Sequence, residues 1–493
     1  MRLHQFRGGV HPPGRKQFSA DQPIQSLPLP ERLYLPLQQH AGGPAQPVVS
    51  VGQKVAKGEL LARAQSAISA PLHAPSSGIV VDIGQFTAPH VSGLPIPTLV
   101  LDTDGEGRWL EDEPPPDPFS LDPEEVASRI GDAGIVGMGG ASFPAAVKLS
   151  KARQAGVHTL VVNGAECEPY VTCDDRLMRE RAAEIVDGAA IMLHALQASR
   201  ALVAVEDNKP EAIQALREAC GHDPRFQVLS LPTRYPTGSA KHLIQLLTGL
   251  ECPAGEPGTE VTGVLVHNVG TAYAVQRALR HGQPLISRIV TVSGGAVAEP
   301  RNLEVPLGAL AADLLAWCGG VSADLSRVLL GGPMMGQPLP SLQTPIVKGS
   351  NGILALTAAE LGPEQLPAPC VRCGRCVEAC PMGLLPVEMA KRVQHDDWTG
   401  TLAFGLNDCM ACGSCAYACP SRVPLLQSFV HARGAVAEQR RAEQKAQYTR
   451  QLMEQRQTRL ARQEQTKADA AAQRRAEKEK KQQRATVMEE DDE

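Results

Sequence analysis

Two short phrases constrain this chain more than anything else in it: CVRCGRCVEACPMG from Cys370 and CMACGSCAYACPSR from Cys409. Each reads Cys-x-x-Cys-x-x-Cys-x-x-x-Cys-Pro, and together they hold eight of the thirteen cysteines. Four thiolates at these intervals suit a [4Fe–4S] cube, because soft sulfur ligands match iron and offset its positive charge. One tight loop aims three sulfurs at one face, and the fourth cysteine begins a helix leading away. Pro381 and Pro420 end each run and turn the chain. Structural zinc needs only four sulfurs and usually shows two separated Cys-x-x-Cys halves, so two complete phrases argue iron–sulfur clusters.

Where such runs come in pairs, as in two-cluster ferredoxins, the fourth cysteine serves the other cluster. That rule assigns Cys370, Cys373, Cys376 and Cys419 to one cube, and Cys409, Cys412, Cys415 and Cys380 to the other. The result is an electron wire. Of the remaining thiols, Cys220, Cys252 and Cys318 read as small buried hydrophobes. Cys167 and Cys173 lie in a phrase with chemistry of its own.

At 493 residues the chain is long enough for about three or four domains. Its formal charge of −5 gives no whole-chain case for nucleic acid. The opening MRLHQFRGGVHPPGRKQFSA lacks an apolar core, so it does not read as a signal peptide. No apolar run of the roughly eighteen residues a spanning helix needs is present. Thiols grouped at metal spacing, without an export signal, point to a reducing cytosol.

Composition divides the chain into six stretches. Residues 1–105 carry Gly and Pro at short intervals among brief β-type runs such as QPVVSVGQKVAKGELLA. Residues 106–122 are acidic and Pro-broken, and read as a linker too polar to pack. Across 123–288, apolar strands alternate with helical text (HTLVVNGAE, RALVAVED, KPEAIQALREAC, FQVLSLP), which argues a mostly parallel α/β sheet. Residues 289–358 return to β-type text around one helical run, ALAADLLAWC. The cysteine phrases occupy 365–432. The tail, 433–493, is Ala-, Gln-, Glu-, Lys- and Arg-rich, polar all round, and therefore a solvated helix or disordered. It reads as a tolerated extension, or as an electrostatic contact with a partner or an anionic membrane surface.

A donor for the wire is suggested by GIVGMGGASFPAAVKL, Gly134 to Leu149. Gly137, Gly139 and Gly140 permit close backbone approach to a phosphate, and the helix that follows offers an anion-binding N-terminus with Lys148 one turn on. Pro144 suits the first helical turn. The spacing differs from the Gly-x-Gly-x-x-Gly dinucleotide fingerprint, and Gly-rich loops before helices are common. The next phrase, LVVNGAECEPYVTCDDRLM, brings Asn163, Glu166 and Glu168 to the C-terminal end of a strand, where open α/β sheets bind ligands. Its plainer reading is a capping loop, with Asp174 or Asp175 as the N-cap of a helix over Arg176 to Leu196.

These two phrases resemble the flavin- and NADH-binding phrases of the NADH-oxidising subunit of respiratory complex I. More specifically, they are similar to the C-subunit family of Rnf (Rsx) ion-translocating electron-transport complexes, over nearly the whole chain. GGVHPPGRK, LPLQQHAGGPAQPVVSVGQKVAKGE and PLHAPSSGIV resemble that family's lipoyl-like N-terminal β domain. RYPTGSAKHLI and VHNVGTAYAV resemble further nucleotide-site segments, and TVSGGAVAEPRNLEVPLGALAADLL a β-grasp domain of the SLBB type. The resemblance implies a multidomain α/β plus β architecture. In order, it has a lipoyl-like domain, a Rossmann-like parallel α/β flavin domain, the β-grasp domain, a helical domain with two [4Fe–4S] clusters, and the charged tail.

It implies non-covalent FMN on Gly137, Gly139, Gly140 and Lys148, with Asn163 and Asn268 helping. It also implies NADH stacked on the flavin near Glu166 and Glu168. Gly238 and Lys241 match a nucleotide segment that usually reads Gly-x-Glu-Lys, although here the carboxylate is replaced by Ala240. The hairpin that would carry a lipoyl arm, ARAQSAISAP, has no lysine, which makes that domain a docking module. The implied activity is a translocase-type oxidoreductase step: NADH gives hydride to FMN, and the clusters pass single electrons to or from ferredoxin or a membrane partner. The implied partners are membrane and cluster-bearing subunits of one complex, and the implied place is the cytoplasmic face of the bacterial inner membrane. The competing reading is an iron–sulfur adaptor bridging membrane subunits without nucleotide oxidation. A soluble diaphorase subunit shares the flavin motif, but typically carries one C-terminal cluster set, not two.

Overall fold

The computed structural model describes residues 3–111, 113–255, 260–363 and 366–490; the expected boundary at Gln365 and the last three acidic residues lie outside them. Two compact units emerge, Met1–Met389 with Asn407–Leu426, and Ala390–Leu406 with Gln427–Glu493.

In the first unit, the parallel sheet expected from the alternating text is present. The strand Thr159–Gly164 lies between Arg200–Glu206 and Val264–Asn268, with Phe226–Leu231 outside, all parallel. TLVVNG and RALVAVE are nearly continuous apolar runs because helices cover both faces. Their alternation sorts the two layers. Leu160, Val162, Ala201 and Val203 pack with the helices Ala182–Leu196 and Val269–His281. Val161, Leu202 and Ala204 pack with the helix Ala240–Thr248. The expected long helix over 176–196 is two helices, Cys173–Glu180 and Ala182–Leu196, broken at Arg181 (φ −133°). Neither aspartate is the N-cap: Thr172 holds that position, and Asp174 and Asp175 lie in the first turn. Asp175 pairs with Arg179 at 2.7 Å, so its carboxylate serves the helix instead of starting it.

The N-terminal β region is two facing sheets. One contains Arg32–Pro36, Lys54–Val55, Gly78–Thr87 and Pro95–Thr103; the other contains Gln46–Pro47, Leu60–Arg63 and Leu72–His73. Its strands begin only at Arg32, so the first part of the expected 1–105 domain packs elsewhere. Gln25–Ser26 joins, as an edge strand, the six-stranded mixed sheet built around Ser287–Ser293 and Arg301–Pro306. Residues 4–16 strap other parts of the unit, through His4 N to Leu246 O at 2.9 Å and Gly9 N to Ala379 O at 3.0 Å. A short Gly- and Pro-rich segment with few apolar residues has no core of its own and takes backbone partners where it finds them.

The stretch 106–122 is also packed, contrary to the expectation of a free linker. Lys57 N donates to Arg108 O at 2.7 Å, Leu110 N donates to Lys57 O at 2.9 Å, and the Lys57 ammonium sits 4.8 Å from the Trp109 ring. Arg280 bridges Asp117 and Asp187, and Phe119 meets His194 edge-on. Trp109 thus finds its partner in the β region, and Asp117 and Phe119 find theirs on the sheet's helices. In the second unit, Asp397 caps the helix Trp398–Ala403 by accepting from Gly400 N at 2.8 Å.

The β region and the six-stranded sheet share one hydrophobic core, in which Leu33, Leu35 and Leu99 pack with Val290, Leu303 and Leu314. At their junction with the parallel-sheet domain lies Lys348, fully buried, whose ammonium donates to Pro71 O at 2.7 Å and Gly134 O at 2.6 Å. Three parts of the fold thus meet on one cation. Burial pulls its pKa from 10.5 down to about 7. Between those values the unfolded lysine binds more protons than the folded one, so this residue makes stability rise with pH across the window. Lys348→Met keeps the bulk and removes the donors. It is expected to lower stability by about 1–3 kcal/mol above about pH 10, where the lysine is neutral folded or unfolded, because two buried carbonyls lose their partner. It should also flatten the rise in stability above pH 7. Urea unfolding at several pH values checks this, and equal slopes in both proteins would refute it.

Candidate functional site

Parallel register places Asn163 and Asn268 side by side at the C-terminal ends of their strands. Asn268 also caps the helix Val269–His281, its Oδ1 accepting from Gly270 N at 2.8 Å. Its Nδ2 donates to Asp174 Oδ2 at 2.6 Å. Asn163 Nδ2 donates to Gly238 O at 2.9 Å, and its Oδ1 accepts from Ala165 N at 3.0 Å.

The glycine loop closes over this pair. Val136 bridges Pro144, and Gly137 N donates to Phe143 O at 2.8 Å, leaving Gly139 and Gly140 exposed at the tip. Gly140 has φ +119°, where an L side chain is strained, and a Cβ on Gly139 would lie 3.6 Å from Asn268 Cβ. Met138 N donates to Thr271 Oγ1 at 3.0 Å, pinning the loop to the helix that Asn268 caps. Pro144 is the N-cap of the helix Ala145–Gln154, one residue before the helix and not in its first turn. From that helix Lys148 reaches the Val266 carbonyl, and burial lowers its pKa to about 8. A cavity of about 500 Å³ is lined by Met138, Asp174, Gly270, Arg288, Lys57 and Trp109, among others.

Glu166 is buried beside the asparagines. Its Oε1 accepts from Asp174 N at 2.8 Å, its Oε2 lies 3.6 Å from Lys16 Nζ, and burial raises its pKa to about 7. Glu166, Cys173 and Asp174 bring one ligand atom each within 4.8 Å of one another, but Lys16 already supplies a cation there. Glu168 points elsewhere. Its two oxygens accept from Met334 N at 3.0 Å and Met335 N at 2.8 Å, so it fastens the six-stranded domain. The structure therefore gathers Gly139, Asn163, Glu166, Gly238 and Asn268, with Lys148 behind them, and leaves Glu168 and Lys241 out.

Several residues here carried no local signal in the sequence. Lys16 donates to the carbonyls of Glu166 at 2.8 Å, Glu168 at 3.1 Å and Val171 at 2.5 Å. Lys209 is buried against Glu206 at 2.6 Å. His267 is buried with both ring nitrogens unpartnered among the described residues, and burial and the Lys148 charge hold it neutral. Only the resemblance of VHNVGTAYAV to a nucleotide-site segment pointed towards it.

The two cysteine phrases fold as near copies. Arg372 and Ala411 both have φ 55°, and Gly374 and Gly413 have φ 78° and 77°. Each glycine precedes a short helix, Arg375–Glu378 or Ser414–Tyr417, and the left-handed turn is where glycine is least costly. Burial raises the Cys380 thiol, and the nearby thiols of Cys412 and Cys409 raise it further. Cys415 is raised to about 12 by burial and then by Cys412, Cys409 and Cys380, while Cys376 has Cys419 as its thiol neighbour. The fourth cysteine of each phrase therefore faces the other phrase. Cys370 and Cys373 are exposed.

The Arg234–His242 segment docks on both phrases. Tyr235 OH donates to Cys412 O at 2.7 Å, and His242 Nε2 lies 3.0 Å from Pro381 O. Lys241 Nζ is 4.0 Å from Asp408 Oδ1, facing the phrases and not the glycine tip. A Cβ on Gly238 would lie 3.5 Å from Cys167 Sγ, and Cys167 packs with Val10, Tyr235, Ala379 and Cys412.

Four family models match the chain: the RnfC barrel sandwich hybrid domain over 4–106, the Nuo51 FMN-binding domain over 130–277, the SLBB domain over 289–338, and the 4Fe-4S dicluster domain over 369–423. A Rhodobacter capsulatus protein, named as the C subunit of an ion-translocating oxidoreductase complex, is 50% identical over 436 residues, covering 88% of this chain and 83% of its own. A Pseudomonas aeruginosa protein of the same name is 48% identical over 467 residues, covering 94% of this chain and 60% of its own. A solved NAD+-reducing [NiFe]-hydrogenase matches with TM-score 0.45 and 20% identity, over 59% of this chain and 55% of that one.

The crossed arrangement of the thiols has a spectroscopic consequence. Cys380→Ser and Cys412→Ser are expected to alter the same one of two cluster signals in anaerobic electron paramagnetic resonance of the reduced protein. Cys376→Ser and Cys419→Ser should alter the other. If Cys376 and Cys380 report on one signal, ligation is uncrossed.

Proposed function

Because this chain belongs to the C-subunit family of ion-translocating oxidoreductase (Rnf) complexes, we propose that it is where electrons from NADH enter such a complex. It is an electron-transfer subunit with FMN and [4Fe–4S] clusters as cofactors. Among the described residues no helix is long and apolar enough to cross a membrane. We assign ion movement to other subunits of the complex.

The residues present fit both cofactors. The exposed tip at Gly139 and Gly140 offers backbone N–H groups, Lys148 has ammonium protons beyond the one given to Val266, and His267 is a buried polar group awaiting a partner. We assign FMN to Gly137, Gly139, Gly140, Lys148, Asn163 and Asn268, with His267 beside them. Bound FMN supplies the conversion of a two-electron hydride donor into single-electron transfers. We assign to Glu166, buried between Asp174 N and Lys16, the role of accepting a hydrogen bond from a nicotinamide amide or a ribose hydroxyl. Glu168 and Lys241 hold the neighbouring domains and serve the site indirectly. Cys370, Cys373, Cys376 and Cys419 would ligate one cluster, and Cys409, Cys412, Cys415 and Cys380 the other. The observation that carries this reading is the direct packing of the nucleotide-site segment, through Tyr235, Gly238 and Cys167, on the loop of Cys412. Ferredoxin or a similar carrier is the proposed exchange partner, at the cytoplasmic face of the inner membrane.

Ala240 favours one other reading, an adaptor that carries electrons without oxidising nucleotide. Anaerobic titration with NADH separates the two: bleaching of the flavin band before the cluster shoulder supports the electron-input role, and flavin-loaded protein inert to NADH supports the adaptor. Lys148→Glu is expected to weaken flavin retention about tenfold or more, since a carboxylate beside an anionic group costs at least ~1.4 kcal/mol. Iron content should match the parent's. Unchanged flavin occupancy would remove Lys148 from the site.

A further inference from the structure

The helix Leu425–Glu490 continues far beyond its packed start, at 66 residues and about 100 Å. Phe429, Ala432 and Val436 are buried, and the Arg433 guanidinium donates to Leu406 O at 3.4 Å. From 438 to 482 every side chain is exposed. That stretch has thirteen Lys and Arg against seven Asp and Glu, in a chain whose overall charge is −5.

The charges are sorted by face. At 3.6 residues per turn, eight of the thirteen cations fall in one arc of about 100°, with only Glu438 and Glu477 against them. They are Arg441, Lys445, Arg456, Arg459, Lys467, Arg474, Lys478 and Lys481. The remaining five cations share the rest of the circumference with five carboxylates, among them Glu443, Glu454, Glu464 and Glu479. Leu452 and Leu460 lie inside the basic arc, with Tyr448 and Met453 at its edges, and all four are exposed. A stripe that mixes cations with a few apolar side chains is unlike a coiled-coil seam, and a second copy would set like charges against each other.

We propose that this face lies on an anionic phospholipid surface. The row from Arg441 to Lys481 runs about 60 Å along a straight helix. A bilayer is flat over that length, whereas a small globular partner is about half as wide. Lys and Arg stems let their charges stay at the headgroups while Leu452, Leu460, Tyr448 and Met453 enter the interface. Each cation near an anionic surface contributes favourably, and salt screens it. The proposal goes beyond the redox reading and is independent of flavin or NADH.

The test is flotation of the full-length, cluster-loaded protein with vesicles of phosphatidylcholine alone, or of equal parts phosphatidylcholine and phosphatidylglycerol. Binding is expected only with phosphatidylglycerol and should be lost at high salt. Arg456→Glu with Arg459→Glu and Lys467→Glu should weaken it at least about tenfold. Arg440→Glu with Arg450→Glu and Arg475→Glu makes the same charge change on the other side and should weaken it about twofold or less. Circular dichroism confirms that both variants keep the helix. Absence of vesicle binding, equal binding to neutral vesicles, equal loss in both variants, or self-association without vesicle binding would each overturn the proposal.

Discussion

The Lys16 ammonium holds the segment on which the rest of the site depends. It donates to three carbonyls between Glu166 and Val171 and stands 3.6 Å from the Glu166 carboxylate. Hydrogen bonds to a charged group contribute about 1.5–3 kcal/mol each, enough to fix a loop of irregular backbone. Neighbouring residues of that loop then serve different parts of the molecule. Glu166 turns to Asp174 (whose side chain bonds Asn268), Cys167 to the cysteine phrases, Glu168 to Met334 and Met335, and Tyr170 to Glu360 at 2.9 Å.

That fan of contacts gives a short bonded and packed route between the two chemistries. Asn163 bonds Gly238, Gly238 abuts Cys167, and Cys167 packs in the cluster that contains Cys412. Burial raises the Cys167 thiol to about 12, so it is protonated, and it packs as a small hydrophobe and not as a further thiolate ligand. Electron transfer asks for proximity and a rigid, dry medium. The carbonyl bonds from Tyr235 to Cys412 and from His242 to Pro381 supply the rigidity.

Much of this was legible in the sequence because its causes are local. The loop of each cysteine phrase is written within it, where spacing and the left-handed Gly374 and Gly413 decide the turn. The strands of the parallel sheet are short apolar runs alternating with helical text, and that alternation is local to 123–288. What was hidden depends on partners far away: Lys16 binds residues 150 positions on, Tyr235 reaches Cys412 across 177, and Lys348 meets Pro71 across 277. Glu168 shows the limit of residue type. A carboxylate needs donors, and nothing in its own phrase says that these are the backbone N–H groups of Met334 and Met335. The stretch 106–122 misled for the same reason, since its polarity conceals Trp109 and Phe119, which find cationic and aromatic partners only in the folded chain.

The N-terminal β region can be understood on the same terms. A swinging-arm domain needs a modifiable lysine on a mobile hairpin, and here the hairpin lacks the lysine and is also tied down. Gly43 N donates to Ile68 O at 3.1 Å, and Pro71 shares the Lys348 ammonium with Gly134 at the base of the glycine loop. Ala41 N donates to Ser142 O at 3.1 Å at the loop's other end. With its core continuous with the six-stranded sheet, the region cannot travel without disturbing the loop it braces. An architecture suited elsewhere to carrying a group thus works here as a buttress, keeping the exposed Gly139 beside Asn268.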